Sequence, residues 1–239
     1  MVNTILIMPR EEIRMGKSNQ NLCSATNSSP TWGLWDLFNW KIVPQRFGGG
    51  VSYIQAFKDA WVQRNKHLIF AEAKANMFPA PLLAGVCWIE VGGDPTFIDS
   101  LAFEVRSFDW SGPNWVDRNL TATNHPTRTS FGAVSMQLRT AAETIGLEPG
   151  TMTHSDLSRL ADCLEKDVYN ITIVARHLRQ LIDHDDLQQN PPALSKEAIR
   201  YAGARYNRGI GLSLTLIRED TSYGDFILKL WPRFENLLI

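Results

Sequence analysis

An apolar run, residues 80–89, ends in the single carboxylate Glu90, and Gly92 and Gly93 follow it almost at once. A helix that is apolar on nearly every side is usually buried, and glycine just after the last turn is a common helix stop. We therefore expect a buried helix that ends at Glu90, with this carboxylate at the mouth of the core. No other segment of the chain constrains the fold as strongly.

Glu90 has two interpretations at this position. Burial disfavours the ionised form and raises the pKa of a carboxyl group, and a carboxyl group that stays protonated near neutral pH can act as a general acid. Alternatively, Glu90 caps the helix or forms a salt bridge at the start of the following loop, because a carboxylate with a perturbed pKa marks a functional site only statistically. The rest of the chain has to decide between the two.

The composition limits the classes of protein that this chain can belong to. With 239 residues, 44% of them hydrophobic, it can bury a large core as one domain or as a domain with an extension. The formal net charge of −1 does not indicate nucleic acid, whose binding usually needs a basic surface. No run approaches the roughly 18 apolar residues that a membrane span requires. Residues 1–14 combine a short apolar patch with several charges and do not have the pattern of a cleavable signal peptide.

The three cysteines, Cys23, Cys87 and Cys163, are too few and too scattered for a disulfide framework or a zinc site. We expect Cys87 and Cys163 in the core and Cys23 in an exposed polar stretch. The acidic cluster at residues 183–186 has ligands of the kind that calcium prefers, but a solvated helix end is favoured because the spacing is irregular. No metal or cofactor is predicted.

The periodicity divides the chain into an N-terminal extension, residues 1–50, and a mainly helical domain, residues 51–239. The extension has a polar linker over 17–30 and then an aromatic-rich stretch, for which packing is favoured over the stacking of sugar rings. Long helices are predicted over 52–77 and 153–183, the second with a capping box at Thr153 and Asp156. Shorter ones are predicted up to Glu90, from about 140, after Ser195, and over 223–238. Residues 96–129 are interpreted as a loop or small hairpin beside the site.

Four local patterns follow one another in a fixed order. They are AGVCWIEVGGDP at 84–95, SFGAVSMQL at 130–138, the pair Asn170-Ile171 within a helix, and ARYNRG at 204–209. Their order resembles the lysozyme-like superfamily of muramidases, specifically the branch of soluble lytic transglycosylases and goose-type lysozymes. The resemblance covers about residues 70–215.

The resemblance implies a mainly α, lysozyme-like α+β fold in which Glu90 is the general acid. It also implies that an Asn-Ile helix packs behind the site and that Tyr206 lies near Glu90. The substrate-binding residues that it implies are Ser130, Met136, Gln137, Tyr206 and Asn207. Two departures stand out: Val91 occupies the position where the family usually has Ser, and the spacing from Gly132 to Gln137 is longer than usual.

Hydrolysis of a glycosidic bond requires a second carboxylate as base or nucleophile. Goose-type enzymes have an Asp shortly before the Phe-Gly pair, but residues 124–129 of this chain contain no acid. Asp99, Glu104 and Asp109 in the preceding segment remain candidates. A lytic transglycosylase needs no second carboxylate, because the C6 hydroxyl of the substrate attacks and leaves an anhydro sugar. The sequence therefore favours the transglycosylase over the hydrolase.

By resemblance, the expected function is cleavage of the β-1,4 bond between N-acetylmuramic acid and N-acetylglucosamine in the glycan strands of peptidoglycan. The alternative is a non-catalytic wall-binding or secretion-associated module. Without a recognisable signal peptide, the chain fits an antibacterial effector exported by a type VI secretion system into the periplasm or cell wall of a target bacterium, although a phage endolysin is also consistent. The partners would then be a cognate immunity protein and a component of the secretion apparatus.

Overall fold

The computed structural model describes residues 23, 24, 26, 29–92 and 129–239. This part of the chain is mainly helical, with eleven α-helices and one two-stranded antiparallel sheet. The predicted mainly α class is therefore confirmed. The loop or hairpin predicted over 96–129 lies almost entirely outside the described residues, as do Asp99, Glu104 and Asp109.

The elements are numbered in chain order. The helices before the sheet are α1 (Leu34–Lys41), α2 (Gly50–Arg64), α3 (Lys66–Ala75) and α4 (Ala80–Glu90). The sheet consists of β1 (Ser130–Phe131) and β2 (Met136–Gln137). The helices after it are α5 (Leu138–Thr144), α6 (His154–Leu164), α7 (Asp167–His184), α8 (Lys196–Arg208), α9 (Leu214–Glu219), α10 (Ser222–Lys229) and α11 (Trp231–Leu238). Two short 3₁₀ turns cover Gln45–Phe47 and Pro149–Thr151.

Helix α4 lies in the middle of the core, as the apolar run predicts. Its residues from Leu82 to Trp88 are all buried, and it contacts α2, α3, α7, α8, α10 and α11. Gly85 allows α10 and α11 to pack closely against α4, because a Cβ atom there would lie only 2.9 Å from the side chains of Ile227 and Phe234. The surrounding helices thus fix the end of α4 that carries Glu90.

The prediction of one helix over 52–77 is wrong, because the chain divides at Asn65 into α2 and α3. The Asn65 side chain donates a hydrogen bond to the carbonyl of Trp61 at 3.1 Å and another to Ser29 Oγ at 2.8 Å. An asparagine side chain that bonds to nearby backbone groups competes with the helical ladder. Periodicity continues across such a break, so it does not reveal the break.

The helix predicted over 153–183 is likewise two helices, α6 and α7, separated at Glu165 and Lys166. Lys166 has an extended backbone, with φ −92° and ψ 118°. The predicted capping box is confirmed: the Thr153 N–H donates to Asp156 Oδ2 at 3.0 Å, and the Asp156 N–H donates to Thr153 Oγ1 at 3.2 Å. The hairpin of the sheet approaches the chain at this break, where Gly132 lies against the carbonyl of Leu164.

The other helices follow the sequence more closely. Ser195 caps α8 as predicted, accepting a hydrogen bond from the Ala198 N–H at 3.0 Å. The segment over 223–238 is interrupted near Pro232, where α10 ends and α11 begins. Helices α1 and α9 were not predicted, because an aromatic-rich stretch and a short helix have little periodic signal.

The expectation that the cysteines form no disulfide is wrong. Cys23 and Cys163 are bonded across a sequence separation of 140 residues, and Cys87 is buried and free. Cys23 is also half-buried instead of exposed. The spacing of cysteines in a sequence can indicate a framework of several bridges, but it does not predict a single pair that the fold brings together.

The acidic cluster at residues 183–186 forms ion pairs and is only partly solvated. Arg205, fully buried, donates to both carboxylate oxygens of Asp185 at 2.7 and 2.8 Å, and Asp183 pairs with Arg179 at 2.5 Å. Asp185 is itself almost completely buried, which corrects the prediction of a solvated helix end for this residue. Within the described ranges, no three potential ligands lie close enough together to hold a metal ion.

Candidate active site

A cleft of about 560 Å³ opens at the end of α4. It is lined by Glu90, Ser130, Ser135, Met136, Gln137, Arg139, Thr140, Glu143, His177, Tyr206, Asn207, Arg208, Gly209 and Ile210. One cavity therefore contains all six predicted site residues that lie in the described part of the chain. These are Glu90, Ser130, Met136, Gln137, Tyr206 and Asn207. They come from three segments that are far apart in sequence.

Glu90 lies in the last turn of α4, half-buried. Its Oε1 accepts a hydrogen bond from the Tyr223 hydroxyl at 2.8 Å. Burial raises the pKa of this carboxyl group, while the Tyr223 hydrogen bond and the charge of Lys58 oppose the rise. The backbone of Val91, whose N–H donates to the carbonyl of Cys87 at 2.9 Å, caps the helix. The side chain of Glu90 thus accepts a hydrogen bond from a phenol, and the backbone of Val91 makes the helix cap.

Lys58 supports the end of α4 from the neighbouring helix α2. Its Nζ donates to the carbonyl oxygens of Trp88 at 2.8 Å and Ile89 at 2.6 Å. These carbonyls belong to the last turn, where the helix dipole favours a cation. Lys58 is only 8% exposed, and burial lowers its pKa to about 8, opposed by the attraction of Glu90. The sequence placed Lys58 among the polar residues of a helix and gave no sign of this role.

Three rings lie beside Glu90. The rings of Tyr206 and Tyr223 are 6.1 Å apart, and His177 meets Tyr206 at 5.8 Å in an edge-on arrangement. Burial and the charge of Glu90 raise the pKa of both phenols. Burial also lowers the pKa of His177 to about 4, so its imidazole is neutral at pH 7. Tyr223 and His177 come from segments where the sequence showed only core periodicity.

The hairpin β1–β2 forms another wall of the cleft, with Ser130 paired to Gln137. The buried side chain of Asn170 holds it from behind: Oδ1 accepts from the Val134 N–H at 2.8 Å, and Nδ2 donates to the Val134 carbonyl at 3.2 Å. This is the Asn-Ile helix packing that the resemblance implies. Gln137 is exposed to the cleft, whereas Met136 is 3% exposed and serves mainly as packing.

Gly132 allows the hairpin to approach α6 and α7. Its φ is +83°, and a Cβ atom there would lie 2.3 Å from the carbonyl oxygen of Leu164 and 2.6 Å from Asn170 Nδ2. Only glycine combines this backbone conformation with so little space. The longer spacing from Gly132 to Gln137 is therefore accommodated in a turn that the two helices hold.

Glu143 is the carboxylate that lines the cleft together with Glu90 in the described part of the chain. It forms an ion pair with Arg139 at 2.9 Å, one helical turn away on α5, and its side chain is 46% exposed. Glu143 was not predicted as a site residue, because an Arg and a Glu four residues apart are typical of any solvated helix face.

Comparison of the chain with protein-family models, with curated proteins and with solved structures gives no match. Among the helices that the structure describes, none combines the length and the apolar character needed to cross a membrane. The residues and the geometry of the cleft are therefore the evidence for its function.

Proposed function

We propose that this protein cleaves the glycan strands of peptidoglycan, with Glu90 as the general acid. The observation that carries the proposal is a half-buried carboxyl group of raised pKa at the edge of a cleft of about 560 Å³. A volume of this size lies within the usual range of about 300–1,000 Å³ for ligand sites. The rim offers hydrogen-bonding groups such as Ser130, Gln137 and Asn207, which suit a polysaccharide.

The chemistry starts with protonation of the leaving group. Protonated Glu90 gives its proton to the glycosidic oxygen while the bond between this oxygen and C1 of the muramic acid breaks. The Tyr223 hydroxyl occupies Oε1, which leaves Oε2 to carry the transferred proton. In the transglycosylase outcome, the C6 hydroxyl of the same sugar then attacks C1 and returns its proton to Glu90. The products are one strand that ends in 1,6-anhydro-N-acetylmuramic acid and a second strand whose terminal N-acetylglucosamine has a free 4-hydroxyl, the group that Glu90 protonated.

The hydrolytic outcome requires a second carboxylate to activate water. Glu143 is the candidate in the described part of the cleft, and it is already engaged by Arg139. Asp99, Glu104 and Asp109 remain candidates by sequence. The transglycosylase stays our preferred outcome because it requires Glu90 alone.

The disulfide supports a site of action outside the cytoplasm. Disulfide bonds form and persist in oxidising compartments such as the bacterial periplasm and are rare in the cytosol. The bond between Cys23 and Cys163 therefore fits the proposed action in the periplasm or cell wall of a target bacterium. For an exported antibacterial effector we further propose a cognate immunity protein that covers the cleft; a phage endolysin is the alternative route to the same substrate.

The test is mass spectrometry of the muropeptides released from purified peptidoglycan. The wild-type chain and Glu90→Gln are compared, with Glu219→Gln as a matched control at an exposed glutamate outside the cleft. We expect anhydro-muramic products from the wild type and Glu219→Gln, and none from Glu90→Gln. The expected loss is at least a hundredfold, since general acid catalysis typically contributes 10²–10⁴-fold.

Other product patterns decide the remaining questions. Reducing-end products would establish a hydrolase, and Glu143→Gln would then test Glu143 as the base. If neither wild type nor control releases soluble sugars, the muramidase proposal is wrong. The second candidate, a non-catalytic wall-binding module, would then be favoured; Val91, which is 1% exposed and apolar where the family usually has Ser, is the observation on its side.

A further inference from the structure

Helix α1 and the chain just after it leave six large apolar side chains open to solvent. Leu34, Trp35, Phe38, Ile42, Phe47 and Val51 are each between 45% and 71% exposed. We call these six residues the α1 patch. Scattered exposed apolar residues are normal, but a cluster of this kind usually marks an interaction surface.

The geometry of α1 shows that the exposure follows the helical period. Leu34, Trp35, Phe38 and Ile42 fall on one face of a helix with 3.6 residues per turn. The rings of Trp35 and Phe38 stack at a centroid distance of 5.6 Å and an interplanar angle of 20°. The opposite side of α1 packs against α2. The apolar face of α1 therefore points away from its described neighbour.

Three polar side chains around the α1 patch, those of Asp36, Asn39 and Gln45, already form hydrogen bonds within the chain. Asp36 accepts hydrogen bonds from the Gly33 N–H at 2.9 Å and the Tyr53 hydroxyl at 2.7 Å. The Asn39 amide donates to the carbonyl of Trp35 at 2.8 Å, and the Gln45 amide to Ser52 Oγ at 2.7 Å. A sugar needs free hydrogen-bonding partners beside the aromatic ring, and this surface offers few. The aliphatic residues between the rings also favour an apolar ligand over a glycan.

The segment that carries the α1 patch, residues 34–51, has a formal net charge of +1. Residues 34–51 contain one acid, Asp36, and two cations, Lys41 and Arg46. Lys41 Nζ lies 3.6 Å from the centre of the Trp40 ring, and the Arg46 guanidinium lies 4.9 Å from that of Phe47. Both cations are exposed, and neither has a carboxylate partner within the described ranges.

We propose that the α1 patch docks on the surface of an anionic lipid bilayer. A short helix with Trp, Phe and Leu on one face and basic residues beside them lies in the plane of the lipid headgroups, with its apolar side chains inserted. Lys41 and Arg46 supply the charge that complements anionic lipids, whereas the whole chain has a net charge of −1. This inference does not depend on the proposed catalytic activity.

The experiment measures sedimentation of the purified full chain with phosphatidylcholine vesicles that contain 30% phosphatidylglycerol. We expect Trp35→Ala/Phe38→Ala to partition at least tenfold more weakly than the wild type, and Phe38→Ala alone to weaken binding several-fold. Phe70→Ala is the matched control, because Phe70 on α3 is 48% exposed and Phe38 is 45% exposed. Lys41→Gln/Arg46→Gln should lose about fivefold per removed cation, and wild-type binding should fall at high salt.

Four results would overturn the proposal. The first is a wild-type chain that does not pellet with anionic vesicles. The second is an equal loss for Phe70→Ala and Phe38→Ala. The third is a wild-type dimer that Trp35→Ala/Phe38→Ala dissociates, which would assign the α1 patch to a second copy of the chain. The fourth is a variant that binds vesicles normally but no longer pellets with insoluble peptidoglycan, which would assign it to glycan. Circular dichroism and equal thermal midpoints verify that the variants fold.

Discussion

Replacing Lys58 by Met removes a buried cation from the end of the helix that carries Glu90. Two charge-assisted hydrogen bonds to the carbonyls of Trp88 and Ile89 are lost, at a cost of about 1.5–3 kcal/mol each. The lowering of the Lys58 pKa from 10.5 to about 8 implies a penalty for the buried charge of about 3 kcal/mol, which the variant no longer has. At pH 7 we therefore expect Lys58→Met to be less stable than the wild type by up to about 3 kcal/mol.

The pH dependence gives the sharper prediction. The pKa of Lys58 is lower in the folded than in the unfolded chain, so the folded chain binds fewer protons between about pH 8 and 10.5. The free energy of unfolding of the wild type must then rise with pH in this window, and the gain disappears as the pH falls to 8. Relative to Lys58→Met, the wild type should become more stable by about 2–3 kcal/mol between pH 7 and pH 10.

The assay is urea unfolding of both proteins at pH 7, 8, 9 and 10, followed by circular dichroism. The matched control is Lys74→Met, at an exposed lysine on α3. Its stability difference from the wild type should stay constant over the same pH range. A flat difference for Lys58→Met would refute the reasoning, because it would mean that the Lys58 amine is as well solvated in the folded chain as in the unfolded one.

Three further substitutions test other parts of the structure. Tyr223→Phe removes the hydrogen bond that lowers the pKa of Glu90, so the loss of glycan cleavage at rising pH should shift to higher pH in a rate profile. Cys23→Ser removes the link to Cys163 and should lower the free energy of unfolding in urea by about 2–5 kcal/mol. Gly132→Ala would place a Cβ atom on a residue of positive φ, 2.3 Å from the carbonyl oxygen of Leu164. It should lower the free energy of unfolding by about 2–5 kcal/mol, measured as a lower thermal midpoint.

Each of these has its own control. An unshifted profile for Tyr223→Phe would show that the phenol does not tune Glu90. A reductant should lower the free energy of unfolding of the wild type as much as Cys23→Ser does, and it should not lower that of the variant further. A difference between the reduced wild type and the variant would point to a role of Cys23 other than the bond. Gly150→Ala, where a Cβ atom meets nothing closer than 3.7 Å, should leave the thermal midpoint almost unchanged, unlike Gly132→Ala.

The sequence predicted the helical content well where one face or all faces of a helix are apolar. Helix α4 and the caps of α6 and α8 follow from local patterns, because burial and capping both depend on residues close in sequence. The breaks at Asn65 and Lys166 were missed. At both positions the helix is interrupted while the apolar period continues. The breaks depend on hydrogen bonds and on contacts with distant segments, such as the hairpin at Gly132.

In the candidate site, too, local motifs were predictable and contacts between distant segments were not. Glu90, Gln137 and Tyr206 were identified from ordered local motifs, and the structure gathers them in one cleft. Lys58 and Tyr223 were not, although both act directly on the end of α4. A lysine on an amphipathic helix is usually a surface residue, and a tyrosine in an apolar stretch is usually a core residue. Lys58 and Tyr223 reach the end of α4 only because α2 and α10 pack against that helix.

The disulfide makes the stability of this chain depend on the redox state of the compartment that contains it. In a reducing compartment Cys23 and Cys163 remain thiols, and the ratio of folded to unfolded molecules falls by a factor of roughly 30 to 5,000, the equivalent of the 2–5 kcal/mol that such a bond contributes. The reduced chain is thus easier to unfold than the oxidised one. A reducing compartment would thus contain a less stable form of the chain than an oxidising compartment.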